Sequence, residues 1–292
     1  MTIAIFGSPY PEHFTKYIQH LIKKIESEHI KIIVEENFNT FLKKKIRFTN
    51  KIETFNCHAS LKENANFLFS IGGDGTLLKA ITFVRDANIP IMGINTGRLG
   101  FISSVSAGQI DDALNDLLKG EYKINNRSLL QLNTHNKLFK DANFALNEVA
   151  ISKKDTSSMV RIDAYVDDEF LNTYWADGLV VSTPTGSTGY SLSCGGPIIM
   201  PGTNNIIITP NAPHNLNVRP IVINDQSTIK LKVEDRDQLA LVSLDSRSRA
   251  FDSDTELIIK KADFKIRLIQ PQNNSFASTI RNKLMWGLDK RT

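Results

Sequence analysis

The stretch Asn66–Leu78 constrains the fold more than any other part of the chain. Its apolar run Phe67–Ile71 ends abruptly at a Gly-Gly-Asp-Gly turn, and a new apolar pattern of helical spacing starts at Leu77. An apolar run of this length bounded by glycine is typical of a buried strand. The sequence therefore predicts a strand, a tight glycine turn and a helix. Asp74 is expected at the carboxyl end of the strand, and either Asp74 or Thr76 as the helix N-cap.

The glycine turn has a functional and a structural interpretation. Gly72, Gly73 and Gly75 let the backbone come close to a ligand, and N–H groups at a helix start bind phosphate oxygens. A carboxylate repels phosphate, so Asp74 at this place indicates a metal ligand or an acceptor for a hydroxyl proton beside a phosphoryl donor. In the structural interpretation, Asp74 caps the helix and the glycines only make a turn. A motif this short does not decide between the two.

Composition narrows the class of protein. The chain has 292 residues, of which 41% are hydrophobic and 23% charged, so it is long enough for two domains with sizeable cores. No apolar run reaches the roughly 20 residues that span a bilayer, and the first residues predict a strand rather than a signal peptide. We therefore expect a cytoplasmic protein with no membrane partner. The net charge of +4 comes without a basic stripe interleaved with aromatic residues, which argues against nucleic acid as a partner.

The pattern of strands and helices changes near residue 104. Before it, strands alternate with helices, which predicts a Rossmann-like parallel-sheet α/β domain. Between 105 and 269 most segments are short and β-rich, which predicts an antiparallel, β-sandwich-like domain. Residues 275–286 have helical spacing, and we expect this helix to return to the first domain. The predicted domains are an α/β domain, 1–104 with about 270–292, and a β-rich domain, 105–269.

A second glycine-rich block lies in the β-rich part. After the strand 178–183 and Pro184, the chain continues with the small polar sequence Thr-Gly-Ser-Thr-Gly-Tyr-Ser-Leu-Ser at 185–193. Its hydroxyl and N–H groups suit contacts with ribose, phosphate and carboxamide groups, and Tyr190 could stack on a base. The alternative is a Ser/Thr-rich loop with Tyr190 packed in the core. Such a density of small polar residues beside an acid, Asp177, favours binding.

Other polar residues have two interpretations each. Asn147 and Glu148 follow an apolar strand, where they either cap a strand edge or bind hydroxyl groups or an amine. Arg219 either binds phosphate through two hydrogen bonds or pairs with a carboxylate. His214 fits a solvated loop residue, the more common outcome for a single histidine. Cys57 and Cys194 match neither a disulfide framework nor a zinc site.

Together these motifs resemble the NAD kinase family. They occur in the family's order and cover essentially the chain from 66 to 287. The Thr-Pro-Thr-Gly-Ser-Thr block is long and specific, whereas Gly-Gly-Asp-Gly-Thr alone also occurs in lipid kinases and phosphofructokinase-like enzymes. The matching segments are Gly72–Thr76, Asn95–Gly97, Leu99–Phe101, Asn147–Glu148, Asp177–Tyr190, Gly195–Pro197 and Lys283–Gly287.

The resemblance implies transfer of the γ-phosphoryl group of ATP to the 2′-hydroxyl of the adenosine ribose of NAD, which gives NADP. It implies ATP with a divalent metal cation, Mg²⁺, as cofactors. It also implies a homodimer or homotetramer, in which a neighbouring subunit completes the NAD site. Asp74 matches the family's proposed base.

The resemblance and the patterns above give one set of nucleotide-binding candidates, and no residue is assigned as a metal ligand. Gly189 stands where many family members have Ala, which implies a slightly wider pocket. Asp245 falls where the family carries an acid on a β-domain strand. The candidates are Gly72, Gly73, Gly75, Thr76, Asn147, Glu148, Asp177, Thr185, Thr188, Gly189, Tyr190, Ser193, Arg219 and Asp245.

Two rival functions share parts of this pattern. A lipid kinase would use the same glycine turn, but it needs an apolar acceptor groove, and the polar block 182–193 argues against one. A non-catalytic sensor of NAD or NADP gains nothing from a carboxylate beside phosphate, so Asp74 argues against a sensor.

Overall fold

The computed structural model describes residues 1–97, 100–103, 105–154, 159–234, 239–270 and 275–286. The chain divides into two compact units, one made of Met1–Asn126 with Ile266–Thr292 and the other of Arg127–Lys265. Within the described ranges, no helix is long and apolar enough to cross a membrane. Two residues of the motifs above lie outside the described residues, namely Leu99 and Gly287.

The first unit begins with alternating strands and helices. Its strands are β1 (Thr2–Gly7), β2 (Lys31–Glu35), β3 (Glu53–Phe55), β4 (Phe67–Ile71) and β5 (Ile91–Ile94). Its helices up to residue 119 are α1 (Thr15–Ser27), α2 (Glu36–Leu42), α3 (His58–Asn64), α4 (Asp74–Val84) and α5 (Ile110–Lys119). The five strands are parallel, in the order β5-β4-β1-β2-β3. The predicted parallel α/β sheet is confirmed.

The helices of this unit are fixed to the sheet by their apolar faces. The buried face of α1 consists of Ile18, Leu21, Ile22 and Ile25. These side chains belong to the same core as Ile3 of β1. Each such side chain stabilises the fold by about 1.5–3 kcal/mol when it is fully buried. Phe69 and Ile71 of β4 belong to the same core, so this packing also fixes the strand that leads into the glycine turn.

The second unit is built from antiparallel strands. They are β6 (Lys123–Asn133), β7 (Phe144–Ala145), β8 (Glu148–Lys153), β9 (Val160–Val166), β10 (Glu169–Ala176), β11 (Gly178–Ser182), β12 (Asn205–Asn211), β13 (Ile221–Asn224), β14 (Ile229–Glu234), β15 (Leu239–Leu244), β16 (Arg247–Asp252) and β17 (Leu257–Gln270), with the short helix α6 (Tyr190–Ser193). One sheet has the order β13-β12-β11-β8-β15-β16, and in the other β9 lies between β10 and β14. β14 pairs with the first residues of β17. The predicted antiparallel β architecture is confirmed.

The core of the second unit lies between its two sheets. Alternate residues of β9, Val160, Ile162 and Ala164, are buried in it together with Leu179 and Val181 of β11. This alternation follows from the two-residue period of a strand. The turn between β9 and β10 consists of two aspartates with φ of 51° and 65°, a geometry that Asp tolerates and that suits a tight hairpin.

The division of the chain differs from the predicted one at residues 105–126. These residues belong to the first unit, because α5 places Ile110, Leu114 and Leu117 in the core that also contains the β1 side chains. The later boundary lies at 266 rather than 270, since the end of β17 pairs in parallel with β5, Leu268 opposite Ile91.

The last described helix is α7 (Phe276–Leu284), within the segment 275–286 for which helical spacing predicts a helix. Its N-cap is Ser275, whose side chain accepts from the N–H of Ser278. The helix belongs to the first unit, as expected. Its Lys283 ammonium lies 4.7 Å from the centre of the Phe101 ring.

Candidate active site

The turn after β4 requires glycine at one position for steric reasons. Gly72 has φ of +152°, and a Cβ atom there would lie 2.2 Å from the Thr76 hydroxyl oxygen. That hydroxyl donates to Ser8 Oγ at 3.0 Å. The helix N-cap is Gly73, so the expectation that Asp74 or Thr76 occupies this position is wrong. Asp74 is the first helical residue, because the chain already turns at the two glycines.

Three backbone N–H groups at this turn remain free for a ligand. The N–H of Gly72 donates to the carbonyl oxygen of Ile94 at 2.9 Å. Those of Gly73, Asp74 and Gly75 have no acceptor among the described residues. A Cβ atom at Gly73 or Gly75 would meet nothing within 4 Å. Glycine at these two positions therefore leaves open space beside N–H groups at a helix start, an arrangement that binds phosphate oxygens.

The Asp74 carboxylate is anchored by a loop and does not cap its own helix. Its Oδ2 accepts from the N–H of Phe101 at 2.7 Å. Its Oδ1 accepts from Ile102 at 3.2 Å and Ser103 at 2.9 Å. Hydrogen bonds to an ionised carboxylate are stronger than neutral ones. A Cβ atom at Gly100 would lie 1.8 Å from Oδ1, so this loop needs glycine there.

In the second unit, Asp245 anchors backbone in the same way. It lies in the turn between β15 and β16 with φ of 52°, rather than on a strand. Its carboxylate accepts from the N–H groups of Leu146 at 3.0 Å, Asn147 at 2.8 Å and Glu148 at 3.3 Å. Its own N–H donates to the Glu148 carbonyl oxygen at 3.0 Å. Asp245 therefore fixes the conformation of the Asn147–Glu148 pair.

Glu148 is buried with an unused acceptor. It is 9% exposed, and its Oε2 atom has no hydrogen-bond partner among the described residues. Burial, together with the nearby charge of Asp245, raises the pKa of Glu148 to about 8. The backbone N–H of Tyr190 opposes part of this rise. A buried carboxyl oxygen without a donor is suited to a hydroxyl group of a ligand.

The block that follows β11 is tied to the Asn147–Glu148 pair through its backbone. The N–H of Thr183 donates to the carbonyl oxygen of Asn147 at 2.9 Å, and the Thr183 hydroxyl donates to that of Leu146 at 2.6 Å. A Cβ atom at Gly186 would lie 2.1 Å from the Asn147 oxygen, and one at Gly189 would lie 3.1 Å from Glu148 Oε2. The glycines of this block permit its close approach to the pair.

The polar side chains of the block differ in exposure. Thr185 is buried, and the Thr188 hydroxyl donates to the carbonyl oxygen of Thr185 at 3.3 Å. Tyr190 is 41% exposed, and its Oη accepts from Asn211 at 2.9 Å. The alternative of a Tyr190 packed in the core is therefore wrong. Ser193 is exposed at the end of α6.

The side chains of Asp177 and Arg219 form their ion pair and hydrogen bonds with residues that are not candidates, and the charge of Asp177 contributes to the raised pKa of Tyr190. The Asp177 carboxylate forms an ion pair with Lys153 at 2.6 Å. The Arg219 guanidinium donates to the carbonyl oxygens of Leu216 at 2.6 Å and Val218 at 2.8 Å, within its own loop. Arg219 is thus used to close a surface loop.

Two family models match the chain. One, described as ATP-NAD kinase N-terminal domain, matches residues 3–122, and the other, ATP-NAD kinase C-terminal domain, matches residues 146–271. The chain belongs to the ATP-NAD kinase family. The NAD kinase of Cytophaga hutchinsonii is 47% identical over 292 residues, and that of Christiangramia forsetii is 46% identical over 297 residues. Both alignments cover 100% of each chain.

Solved structures share the fold. Yeast NADH kinase complexed with NADH superimposes with a TM-score of 0.88 at 22% identity, covering 99% of this chain and 89% of that chain. The NAD kinase from Archaeoglobus fulgidus in complex with ATP has a TM-score of 0.75 at 24% identity and covers 98% of both chains. The TM-scores show a common fold, and at these low sequence identities the comparison shows the fold alone.

In this member of the ATP-NAD kinase family, the predicted residues form two separate groups. Within the first unit, Gly72, Gly73, Gly75 and Thr76 surround the anchored Asp74. Within the second unit, contacts bring together Asn147, Glu148, Asp245 and the segment 185–190. Throughout the described part of the chain, no group of three or more His, Cys, Asp or Glu side chains is arranged to hold a metal ion.

Two features of this NAD kinase family member were not predicted from its sequence. One is the role of the 100–103 loop in holding Asp74, which links residues 27 to 29 positions apart and leaves no local signal. The other is Arg127 on β6, which is 8% exposed. Arg127 lies two residues before the buried Leu129 and so on the same strand face. The same face of β6 also carries Asn125 and Gln131, so the sequence pattern gives no signal for Arg127.

Proposed function

We propose that Asp74 is the base of the phosphoryl transfer. The chain is an ATP-NAD kinase, which transfers the γ-phosphoryl group of ATP to NAD and gives NADP. In the proposed step, the ribose 2′-oxygen forms a bond to the γ-phosphorus, the bond from that phosphorus to the β–γ bridging oxygen breaks, and ADP leaves. The proton of the 2′-hydroxyl passes to the Asp74 carboxylate.

The observation that carries this proposal is the anchoring of Asp74 by three backbone N–H groups. These bonds come from a loop rather than from the residue's own helix, so the helix N-terminus keeps its free N–H groups. A carboxylate held in one place keeps its orientation as the proton moves, and positioning of this kind supplies much of the catalysis in phosphoryl transfer.

For the donor, we propose that the N–H groups of Gly73, Asp74 and Gly75 bind phosphate oxygens of ATP. The open space at both glycines supports this assignment. Gly72 and Thr76 then act by shaping the turn. Mg²⁺ is proposed to arrive with ATP, since this ion is held largely by substrate phosphates and water. When bound, it neutralises the charge that develops on the phosphate oxygens.

For the acceptor, we propose that Glu148 Oε2 and the Asn147 amide bind hydroxyl groups of NAD, and that the exposed face of Tyr190 stacks on a ring of the dinucleotide. The unused oxygen of Glu148 supports this assignment. The hydroxyls of Thr185, Thr188 and Ser193 and the Asp177 carboxylate are proposed to line the same acceptor site. Arg219 is not included, because its guanidinium donates to carbonyl groups of its own loop. Asp245 is proposed to act through the backbone that it holds.

We further propose a homodimer or homotetramer that works in the cytoplasm. Two observations support this. Trp175, Leu216 and Val222 of the second unit are exposed, and large apolar side chains of this kind are commonly covered at subunit interfaces. Cys57 and Cys194 are free thiols, in keeping with a reducing compartment. Sedimentation of the purified chain checks the oligomeric state, and fractionation of cells checks the location.

The proposed function is tested by supplying the purified wild-type chain with NAD, ATP and Mg²⁺. NADP is measured with an NADP-specific dehydrogenase, and ADP is measured in parallel. We expect equal amounts of NADP and ADP, no product after chelation of the metal, and recovery when excess Mg²⁺ is added. A lipid kinase would phosphorylate diacylglycerol in mixed micelles instead. A sensor would bind NAD without forming ADP.

A further inference from the structure

A buried cation in the second unit lacks a counter-ion among the residues that the structure describes. Arg127 on β6 is 8% exposed, and its Nε atom has no hydrogen-bond partner in those residues. Its Nη1 atom donates to the Thr185 hydroxyl at 3.4 Å. In the described ranges of the chain, no carboxylate forms an ion pair with it. Burial lowers the pKa of Arg127 to about 10, so the guanidinium still carries its charge at neutral pH.

An unpaired buried charge is unfavourable for the fold by itself. Taking a guanidinium out of water costs free energy that an ion pair or a bound ligand normally offsets. The two acids of this region do not provide that offset. Asp245 accepts from three backbone N–H groups, and burial raises the pKa of Glu148 to about 8, so that this carboxyl group carries little charge at neutral pH. The counter-ion of Arg127 is therefore absent from the described residues.

The surroundings of the guanidinium indicate what that counter-ion is. Thr185 begins the block 185–193, which is tied through Thr183 and Gly186 to the Asn147–Glu148 pair. The guanidinium is a planar group with several N–H donors that match two oxygens of a phosphate group. A neighbouring hydroxyl can donate to a third oxygen.

We propose that Arg127 binds a phosphate group of a nucleotide substrate, with the Thr185 hydroxyl as a second ligand. The proposal rests on the proposed function, because NAD and ATP are the phosphate-bearing molecules of that reaction. The ligand chemistry is the same for the pyrophosphate of NAD and the triphosphate of ATP. Arg127 acts on binding, and it takes no part in moving the proton.

The test compares wild type with Arg127→Met, which keeps an unbranched apolar stem and removes the charge. Melting temperatures are measured without ligand and with NAD, ATP or adenosine, the last of which lacks phosphate. We expect Arg127→Met without ligand to melt no lower than wild type, because an unpaired buried charge has been removed. We expect the stabilisation by NAD or by ATP to be lost and that by adenosine to remain.

Kinetics and a control variant complete the test. The KM for the affected nucleotide should rise by about tenfold or more while kcat changes by less than about threefold, as for a contact that binds substrate and transition state alike. The nucleotide whose KM rises identifies the source of the phosphate. Arg249→Met, which removes an exposed guanidinium on β16, should leave all responses as in wild type.

Other outcomes overturn the proposal. If NAD and ATP both stabilise Arg127→Met as they stabilise wild type, the residue binds no substrate phosphate. If the adenosine response is lost as well, or the unliganded variant melts well below wild type, the arginine is structural. Should the methionine variant fail to fold, Arg127→Lys keeps a charge without the planar fork, and unchanged KM values for both nucleotides in that variant would also overturn it. Failure of the proposed function would appear instead as a wild-type chain that forms no NADP.

Discussion

Asp74 and Asp245 make the same contact in different surroundings. Each carboxylate accepts hydrogen bonds from three successive backbone N–H groups, those of residues 101–103 for Asp74 and those of residues 146–148 for Asp245. Beside Asp74 lie the free N–H groups of a helix start and open space at Gly73 and Gly75. Beside Asp245 lies a second acid, Glu148.

The difference shows that anchoring alone does not define a catalytic carboxylate. Asp74 is fixed next to donors that attract anions, so a phosphoryl donor and a base can meet there. Burial raises the pKa of Asp245, and its carboxylate accepts hydrogen bonds from the backbone of residues 146–148. We expect the first carboxylate to control turnover and the second to control stability and NAD binding.

The largest predicted effect is on turnover in Asp74→Asn. The amide removes the base but keeps the size and one oxygen acceptor of the side chain. We expect kcat to fall by about 10²- to 10⁴-fold, while the dissociation constant for NAD stays within a few-fold of wild type. Steady-state kinetics and calorimetry check this. Asp112→Asn, which changes an exposed carboxylate on α5, is the control. Turnover like that of wild type in Asp74→Asn would refute the assignment of the base.

The second prediction concerns Asp245→Ala. Removing this carboxylate leaves the N–H groups of Leu146, Asn147 and Glu148 without their acceptor, so the free energy of unfolding should fall by about 2–3 kcal/mol. The KM for NAD should rise more than kcat falls, because the Asn147–Glu148 pair is no longer fixed. Denaturant unfolding and kinetics measure both, with the exposed Asp252→Ala as control. A stable variant that binds no NAD would instead make Asp245 a direct ligand of the dinucleotide.

The third prediction concerns the pH dependence of stability that Glu148 contributes. Its pKa is raised in the folded state from 4.5 to about 8, so the folded chain holds a proton that the unfolded chain has released. Stability from this group is therefore complete below pH 4.5 and is lost as the pH rises through 8. Between pH 6 and pH 8 wild type should lose roughly 2 kcal/mol more than Glu148→Gln. The free energy of unfolding is measured at each pH for both chains. If it changed equally with pH in wild type and in Glu148→Gln, Glu148 would be ionised throughout this range.

Much of the fold followed from local patterns. The run Phe67–Ile71 and the glycines after it predicted β4, the turn and α4, because strand length and glycine geometry are properties of neighbouring residues. The sequence did not show to which unit α5 belongs, because its apolar face indicates that the helix packs on a core but not on which of the two cores. The N-cap was wrong for a related reason: Asp74 has the chemistry of a cap, and its partners lie 27 to 29 residues further along the chain.

The candidate site was predicted unevenly as well. Motif resemblance selected Asp74, Asn147 and Glu148, but it could not reveal that Asp245 holds the latter two, a contact that spans 97 to 99 residues. For Arg219 the sequence left phosphate binding and pairing with a carboxylate open, whereas in the structure its guanidinium donates to carbonyls of its own loop. Arg127 has no motif around it, and only burial without a counter-ion singles it out.

The smallest predicted effects come from two glycines that each face an acid. A Cβ atom at Gly100 would lie 1.8 Å from Asp74 Oδ1, whereas one at Gly189 would lie 3.1 Å from Glu148 Oε2. The first distance cannot be tolerated without moving the carboxylate or its loop, so kcat in Gly100→Ala should fall by about tenfold or more, as for small misplacements of reacting groups. The second needs a shift of only a few tenths of an ångström, so Gly189→Ala should change the KM for NAD by about threefold or less and leave kcat unchanged. Gly108→Ala controls for the loss of a glycine as such, since nothing lies within 4 Å of its Cβ position, and this variant should keep its stability and its kcat. If Gly189→Ala lowered kcat as much as Gly100→Ala does, both acids would act on the reacting atoms, and the separation of their roles would fail.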